Sequence, residues 1–394
     1  MINVSPSGWK EVVLRDACES VRYGYTAQAQ DKPVGPQFLR ITDIVPNLID
    51  WSSVPYCQIA SQDVEKYKLQ EGDIVIARTG ATTGYAKWIK SPPDSVFASY
   101  LVRLRISKAH DSRFIGFIVG SDEYKQFIRT NIGGAAQPNA NAQILTSFPI
   151  RLPPLPTQRK IAAVLSAYDD LIENNTRRIA LLEEMARLVY REWFVRFRFP
   201  GHESVRLVDS PLGEIPEGWE VRQLGDVIEL AYGKGLREVD RVSGPYPVYG
   251  SSGVVGYHKE RLVNGPGIVV GRKGNVGTVY WSDDDFYPID TVFYVKTDID
   301  LCYVYHNLQY QNFISTDTAV PGLSRNQAYL LPFLLPDVSV TRRFQGFVTP
   351  LFDQIRNLRL KTGNLRRTCD LLLPRLISGA LDVAGSDIDT GGVG

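Results

Sequence analysis

The clearest hydrophobic pattern in the chain is a pair of long runs in which apolar residues recur every three or four positions. The first run extends over residues 161–193 and the second over residues 344–376. Spacing that averages 3.5 residues is typical of helices packed along a narrow apolar seam, so we predict two long antiparallel helices. The predicted seam residues are Ile161, Leu165, Ile172, Asn175, Ile179 and Leu182 in the first run, and Val348, Leu351, Ile355, Leu358, Leu365 and Leu372 in the second.

Shorter apolar stretches precede each long run. They alternate with Gly, Pro, Asn and Asp, which is typical of twisted antiparallel β structure joined by turns. The strand-like stretches are 38–44, 73–77 and 96–106 in the first half of the chain, and 268–271, 276–281 and 291–296 in the second. Residues 113–129 have the clearest pattern of a short helix.

The chain also repeats itself with a long period. The segment around Trp9 recurs around Trp219, 210 residues later, and residues 74–80 recur as 268–274, 194 residues later. Positions in 149–172 recur in 332–355, 183 residues later. Matches that keep one order, with a constant offset inside each block, indicate a duplicated unit.

Together these patterns predict an α+β protein with an internal duplication. Two similar, mostly-β domains are expected to be separated by two long antiparallel coiled-coil helices. The expected segments are a first domain at 1–155, a long helix at 156–199, a linker at 200–217, a second domain at 218–335, a second long helix at 336–380 and a flexible tail at 381–394.

The charge of the chain is balanced overall but uneven along its length. Its 44 Lys and Arg residues offset 43 Asp and Glu residues, which leaves a net charge of +1. Residues 200–338 nevertheless contain 11 basic and 18 acidic side chains, whereas residues 339–378 contain 8 and 2. An acidic second domain weighs against a polyanionic ligand unless its basic residues gather on one surface.

The remaining composition excludes several classes of protein. The four cysteines and four histidines are scattered, without the spacing of a zinc site, a redox motif or a disulfide framework. No apolar run approaches the roughly 20 residues of a membrane helix, and the N-terminus lacks the features of a signal peptide. We therefore expect a cytoplasmic protein that binds no metal.

Three residues of the first half fit the pattern of a known type of catalytic site. Asp94, Glu123 and Lys125 fit the outline of metal-dependent nucleases, in which two carboxylates hold Mg²⁺ and a lysine assists the attacking water. Glu123 and Lys125 should then lie on a strand, but the pattern around them predicts a helix. Phosphate-binding and dinucleotide-binding glycine motifs are absent from the sequence.

The loops instead predict a binding surface in each half. Glycine lets the backbone approach phosphate closely, Arg and Lys pair with phosphate, and Arg, Asn and Gln can read base edges. The candidate DNA-binding residues are Arg22, Tyr23, Tyr25, Thr26, Arg78, Thr79, Thr82, Thr83, Lys87, Gln137, Asn139 and Asn141 in the first domain, and Tyr232, Lys234, Arg237, Arg272, Lys273, Asn275, Ser324, Arg325 and Asn326 in the second. The same loops also fit glycine-containing turns with solvated basic side chains.

Three motifs together resemble the specificity (S) subunit of type I restriction–modification systems. They are Leu-Gly-Glu-Ile-Pro-Glu-Gly-Trp-Glu at 212–220 with Leu-Gly-Asp at 224–226, Leu-Pro-Pro-Leu-Pro-Thr-Gln at 152–158, and Trp-Phe-Val-Arg-Phe at 193–197. The family usually has Glu where this chain has Thr157, and Leu-Pro-Asp-Val at 335–338 is a degraded second copy of the double-proline motif. The resemblance covers nearly the whole chain.

The resemblance implies a protein that recognises double-stranded DNA and is not catalytic by itself. Each target-recognition domain would read one half of a split, asymmetric site. It implies two methyltransferase (modification) subunits that bind S-adenosylmethionine, and restriction/translocase subunits that use ATP and Mg²⁺, as partners. This chain would bind none of those cofactors and would have no membrane partner.

Two other functions stay open at the level of sequence. A stand-alone nuclease would use Asp94, Glu123 and Lys125 and would cleave DNA with Mg²⁺ when purified. A coiled-coil scaffold without DNA contact would show no salt-dependent DNA binding even with its partners present.

Overall fold

The computed structural model describes residues 8–46, 48–132, 139–314 and 322–390. Its internal contacts divide the chain into two units, and both boundaries fall within the long helices. Unit 1 comprises residues up to 175 and from 361 onward, and unit 2 comprises residues 176–360. Each unit therefore contains one globular domain together with part of both long helices, whereas the predicted boundaries place the helices outside the domains.

Both units combine short strands with helices, as the sequence predicts. The strands are β1 (Lys10–Val13), β2 (Cys18–Tyr23), β3 (Gln37–Leu39), β4 (Ile74–Ala77), β5 (Ala86–Trp88), β6 (Ser95–Phe97), β7 (Leu101–Ile106), β8 (Pro149–Leu152), β9 (Leu207–Ser210), β10 (Gly213–Pro216), β11 (Glu220–Gln223), β12 (Glu229–Tyr232), β13 (Tyr246–Gly250), β14 (Gly253–His258), β15 (Gly267–Gly271), β16 (Val279–Ser282), β17 (Tyr287–Pro288), β18 (Val292–Lys296) and β19 (Pro332–Leu335). The helices are α1 (Ile41–Ile44), α2 (Ser61–Tyr67), α3 (Ser112–Gly120), α4 (Asp122–Asn131), α5 (Ala142–Thr146), α6 (Leu155–Tyr190), α7 (Leu224–Val227), α8 (Leu301–Tyr310), α9 (Arg325–Tyr329) and α10 (Val338–Ile377).

The duplication is visible in the sheet topology. Unit 1 has a four-stranded antiparallel sheet in the order β2-β7-β4-β5, and unit 2 has one in the equivalent order β12-β18-β15-β16. Each unit also pairs the strand before its first short helical turn with the strand before its long helix, as β1-β8 and β11-β19. The predicted fold of two similar domains, each followed by a long helix, is thus confirmed.

The long helices pack against each other inside both units. In unit 1, Ile161 and Leu165 near the start of α6 share a buried core with Leu376 near the end of α10. In unit 2, Tyr190 at the end of α6 shares a core with Phe344 near the start of α10. Early residues of one helix meeting late residues of the other make the pair antiparallel, and no predicted seam residue is exposed.

Three sequence-based boundaries differ from the structure. The single helix predicted at 113–129 is two helices, because the Ser121 side chain accepts a hydrogen bond from the Tyr124 amide and starts a new helix there. The predicted linker at 200–217 contains the β9-β10 hairpin. Residues 381–390 of the predicted flexible tail pack on unit 1, where Val383 is buried and Lys160 Nζ donates to the carbonyls of Ala384 and Ser386.

Over the described ranges, no helix has both the length and the apolar character that crossing a bilayer requires.

Candidate nucleic-acid interface

In unit 1, a tyrosine and an arginine meet where two strands of the main sheet end. Tyr23 ends β2 and Arg78 directly follows β4, and Cζ of Arg78 lies 4.9 Å from the centroid of the Tyr23 ring. Arg78 Nη2 donates to Oδ1 of Asn139 at 3.1 Å, and the Tyr23 hydroxyl accepts a hydrogen bond from the Ala142 amide at 2.9 Å. We call Tyr23, Arg78 and Asn139 the Tyr23 cluster.

Unit 2 builds the same arrangement from its own copy of the sheet. Tyr232 ends β12 and Arg272 directly follows β15, with Cζ of Arg272 at 4.9 Å from the centroid of the Tyr232 ring. A second guanidinium, that of Arg325 at the start of α9, has its Cζ 4.8 Å from the same centroid. We call Tyr232, Arg272 and Arg325 the Tyr232 cluster.

The backbone explains why both clusters form at the same place. Gly24 follows Tyr23 and Gly233 follows Tyr232, and a Cβ added at either glycine would lie within 2.2 Å of a carbonyl oxygen of the neighbouring segment. Glycine alone permits that close approach. The arginines are fixed similarly, because the carbonyl of Arg78 accepts from the Ala140 amide and that of Arg272 accepts from the Leu323 amide, both at 2.8 Å.

The second domain has more acidic than basic residues, but most of its described basic residues without an ion pair lie in the Tyr232 cluster or close to it in the sequence. Most of its basic residues pair locally with carboxylates, namely Arg206, Arg222, Arg237, Lys259, Arg261 and Lys296. Among the described residues, no carboxylate lies within 4.0 Å of the charged groups of Lys234, Arg272, Lys273 or Arg325, all candidate surface residues. Arg241 also lacks an ion pair, but it donates to the Val255 carbonyl.

The acidic triplet at 283–285 is engaged elsewhere in unit 2. Asp283 pairs with Arg359, Asp284 with Arg356 and Asp285 with Arg261, at 2.6, 2.5 and 3.2 Å. The uncompensated positive charge of the domain is therefore concentrated around the Tyr232 cluster.

Several other predicted residues of the first domain surround the Tyr23 cluster or support it. Arg22 and Thr26 are exposed, Thr79 forms a β-bridge with Asn139, and Asn141 caps α5. Thr82 accepts from the Tyr85 amide through its carbonyl, and the Thr83 hydroxyl donates to the Gly80 carbonyl, so both shape the turn after Arg78. Gln137 lies outside the described residues.

Two predicted residues of the first domain are directed to other neighbours. The ring of Tyr25 packs on that of Tyr67, with centroids 5.2 Å apart. Lys87 Nζ donates to the Pro46 carbonyl at 2.9 Å, and burial lowers the pKa of this lysine. Both side chains therefore contact residues outside the Tyr23 cluster.

In the second domain too, most of the predicted residues lie close to the cluster in the sequence or cap an element beside it, and one pairs elsewhere. Ser324 caps α9, Asn326 is exposed on its first turn, and the Asn275 carbonyl accepts from the Thr278 hydroxyl in the turn after Arg272. Lys234 is exposed next to Gly233. Arg237, in contrast, forms a two-pronged ion pair with Asp240, which neutralises its charge.

Two aromatic contributors were missed by the sequence reasoning. The Phe293 ring lies 5.0 Å from the Tyr232 ring, and the Tyr329 ring lies 5.9 Å from Cζ of Arg325. Tyr329 could have been found, because residues four apart on a helix lie on one face. Phe293 could not, since its contact depends on the pairing of β12 with β18.

The described residues do not assemble the predicted nuclease site. Glu123 and Lys125 lie on α4 rather than on a strand, and Lys125 pairs with Asp122 at 3.2 Å while Asp94 lies 3.8 Å from Lys68. Within the described part of the chain, no group of three or more His, Cys, Asp or Glu residues could hold a metal ion.

The chain is similar to known proteins in both sequence and fold. A family model described as the type I restriction modification DNA specificity domain matches residues 6–184 and 216–333. The type I restriction enzyme MjaIX specificity subunit of Methanocaldococcus jannaschii is 26% identical over 340 residues, which cover 79% of this chain and 76% of that protein. The putative MjaX specificity subunit of the same organism is 29% identical over 227 residues, covering 56% and 53%.

A solved structure extends the likeness to nearly the whole fold. The crystal structure of the type I restriction–modification S subunit from M. genitalium superposes with a TM-score of 0.57 at 16% sequence identity. The match covers 96% of this chain and 97% of that one.

Proposed function

Because this chain belongs to the type I restriction–modification DNA specificity family, we propose that each of its two units reads one half of a divided DNA site. The chain is a specificity subunit that recognises a DNA target. The Tyr23 cluster would contact one half-site and the Tyr232 cluster the other. Residues around each cluster would bind the phosphates that position it.

The observation that carries this proposal is the recurrence of an arginine stacked on a strand-ending tyrosine in both units. A guanidinium held on an aromatic ring keeps its planar donors oriented, and that fork matches the O6 and N7 acceptors of guanine in the major groove. The neighbours differ, because Arg78 contacts Asn139 whereas Tyr232 carries the second arginine Arg325. A shared scaffold with different side chains suits two readers of different sequence.

The proposal assigns the chemistry to partner subunits. Two modification subunits would bind S-adenosylmethionine and methylate the site, and restriction subunits would use ATP and Mg²⁺ to translocate and cut DNA. The chain itself would bind none of these cofactors and catalyse no step. We propose that this complex works in the cytoplasm, where bacterial and archaeal DNA is accessible.

Salt-dependent DNA binding tests this proposal against that of a scaffold. The purified chain, together with its modification subunits, would be titrated onto fluorescent duplex DNA at several salt concentrations. Each lost phosphate contact lowers the magnitude of the slope of log affinity against log salt by about 1. We expect the Arg272→Ala, Lys273→Ala variant to bind more weakly with a smaller slope, and Arg206→Ala, whose partner is Glu217, to bind like wild type. Equal slopes for all three proteins would contradict the proposal.

A further inference from the structure

Each globular domain contacts the long helix that follows it through ion pairs, and the signs of the charges are opposite in the two units. In unit 1, Lys90 Nζ of the domain lies 2.7 Å from Asp170 and 3.8 Å from Glu173, both on α6. In unit 2, Asp284 of the domain lies 2.5 Å from Arg356, on α10. The neighbouring Asp283 pairs with Arg359 of α10. We call these two regions the docking contacts.

The docking contacts occupy equivalent positions of the repeat. Ile74 pairs with Trp88 in the first sheet as Ile268 pairs with Trp281 in the second. Lys90 follows Trp88 by two residues, and Asp283 follows Trp281 by two residues. The same segment of each domain therefore bears a lysine in unit 1 and aspartates in unit 2.

The equivalent positions of α6 and α10 also differ in charge, and in the opposite sense to the domains. The offset of 183 residues that relates the two long runs places Arg356 of α10 at the position of Glu173 of α6. It also places Phe352 at the position of Asp169. Phe352 packs on Trp281 with ring centroids 4.6 Å apart, whereas Asp169 faces the partly buried Lys87 and favours the charged form of that lysine.

A duplicated chain needs such a distinction. The two domains share a sheet topology and the two helices share one seam pattern, so apolar packing alone discriminates weakly between the two helices as partners of the segments 89–94 and 282–286. The side chains of Lys90, Arg356 and Asp284 are each about half exposed, at 52%, 51% and 52%. Pairs this exposed add little stability, but like charges brought together in a wrong pairing repel.

We propose that the reversed charges of the docking contacts specify which long helix each of the segments 89–94 and 282–286 packs on. Lys90 fits the acidic patch of α6 and would be repelled by Arg356 and Arg359 of α10. Asp283 and Asp284 fit α10 and would be repelled by Asp170 and Glu173 of α6. The contacts thereby disfavour pairing of each segment with the other helix, whether that helix belongs to the same chain or to a second copy. This inference does not depend on DNA recognition.

A charge exchange that keeps the composition constant tests this proposal. The variant Asp170→Arg, Arg356→Glu has the same net charge as wild type but reverses the charge of the nearest helix partner at both docking contacts. Its proteolysis at the segments 89–94 and 282–286, and its urea unfolding, would be measured in the full chain. We expect the opening equilibrium at each contact to rise roughly 3- to 10-fold. Adding Lys90→Asp and Asp284→Lys matches the charges again and should restore wild-type protection.

A control variant separates this effect from the loss of any two surface ion pairs. The exchange Glu11→Arg, Arg206→Glu also breaks two exposed pairs without changing the net charge, but its pairs lie outside the docking contacts. We expect it to leave protection at both segments unchanged. The proposal is overturned if the Asp170, Arg356 exchange behaves like this control, or if the fourfold variant stays as open as the double one.

Discussion

Arg78 lies with its Cζ 4.9 Å from the centroid of the Tyr23 ring, and the hydroxyl of the same ring accepts a hydrogen bond from the Ala142 amide. The face of the ring thus contacts the guanidinium of Arg78, and the hydroxyl binds the backbone at the start of α5. This relationship separates two functions of Tyr23 that mutation can test one at a time.

Removing the hydroxyl alone should preserve recognition, whereas removing the ring should not. Tyr23→Phe keeps the surface on which the guanidinium rests, and Tyr23→Ala frees Arg78 to adopt other rotamers. We expect Tyr23→Ala to weaken DNA binding about 5- to 30-fold, as a cation–π contact of 1–2 kcal/mol implies. Fluorescence anisotropy would measure it. Equal loss in Tyr23→Phe would assign the effect to the Ala142 hydrogen bond instead.

Arg325 should add a base contact that the first domain does not have. Its guanidinium lies 4.8 Å from the Tyr232 centroid without a carboxylate within 4.0 Å among the described residues. Arg325→Lys keeps the charge but loses the planar fork, so we expect one guanine position of one half-site to relax about 10-fold. Selection from a randomised duplex library would measure this. An unchanged base preference at every position would show that Arg325 contacts only phosphate.

A buried ion pair should dominate the stability of unit 1. Asp73 is 1% exposed, accepts hydrogen bonds from Arg105 at 3.0 and 3.3 Å, and lies 3.8 Å from Arg103, which is also buried. Asp73→Asn removes the carboxylate charge beside the buried Arg103, which keeps only its carbonyl acceptors, so we expect a loss of about 3 kcal/mol in the free energy of unfolding. Urea denaturation would measure it. The exposed Asp94→Asn is the control, expected to cost less than about 0.5 kcal/mol.

His306 should make unit 2 less stable in mild acid. Burial among aromatic rings lowers the pKa of His306 to about 4, whereas the unfolded chain titrates near 6.5. Between those values the unfolded chain binds a proton that the folded unit does not, so stability is full above pH 6.5 and falls as the pH drops toward 4.

The replacement His306→Phe removes this titration and isolates its effect from that of other groups. We expect wild type to lose stability relative to His306→Phe by roughly 1.4 kcal/mol per pH unit below 6.5. Thermal unfolding at pH 7.5, 6.0 and 5.0 would measure the difference. Parallel curves for the two proteins would contradict the assignment.

The architecture of the chain can be predicted from its sequence because the helical period and the internal repeat both extend over many residues. A 3.5-residue period and a repeat with constant offsets survive many local exceptions, and they predicted the duplicated domains and the antiparallel helices. Tyr23, Arg78, Tyr232 and Arg272 stand out in the sequence because each lies near a glycine in a loop of small and basic residues. The structure gathers them into two clusters, and their contact with DNA stays a prediction.

What sequence reasoning could not supply was the choice of partner for each charge. The sequence does not show that Arg237 pairs with Asp240, nor that Arg356 and Arg359 in the basic helix α10 pair with Asp284 and Asp283. Such contacts join residues far apart in the sequence, so only the tertiary structure determines them.

The most direct test of the two-reader account is the methylation pattern of a genome in a cell that expresses this chain with its modification partners. Wild type should produce one motif of two defined halves separated by a nonspecific gap. Arg78→Ala should alter the bases of one half alone, and Arg272→Ala those of the other half alone. A variant that alters both halves together would contradict the account, as would two variants that alter the same half.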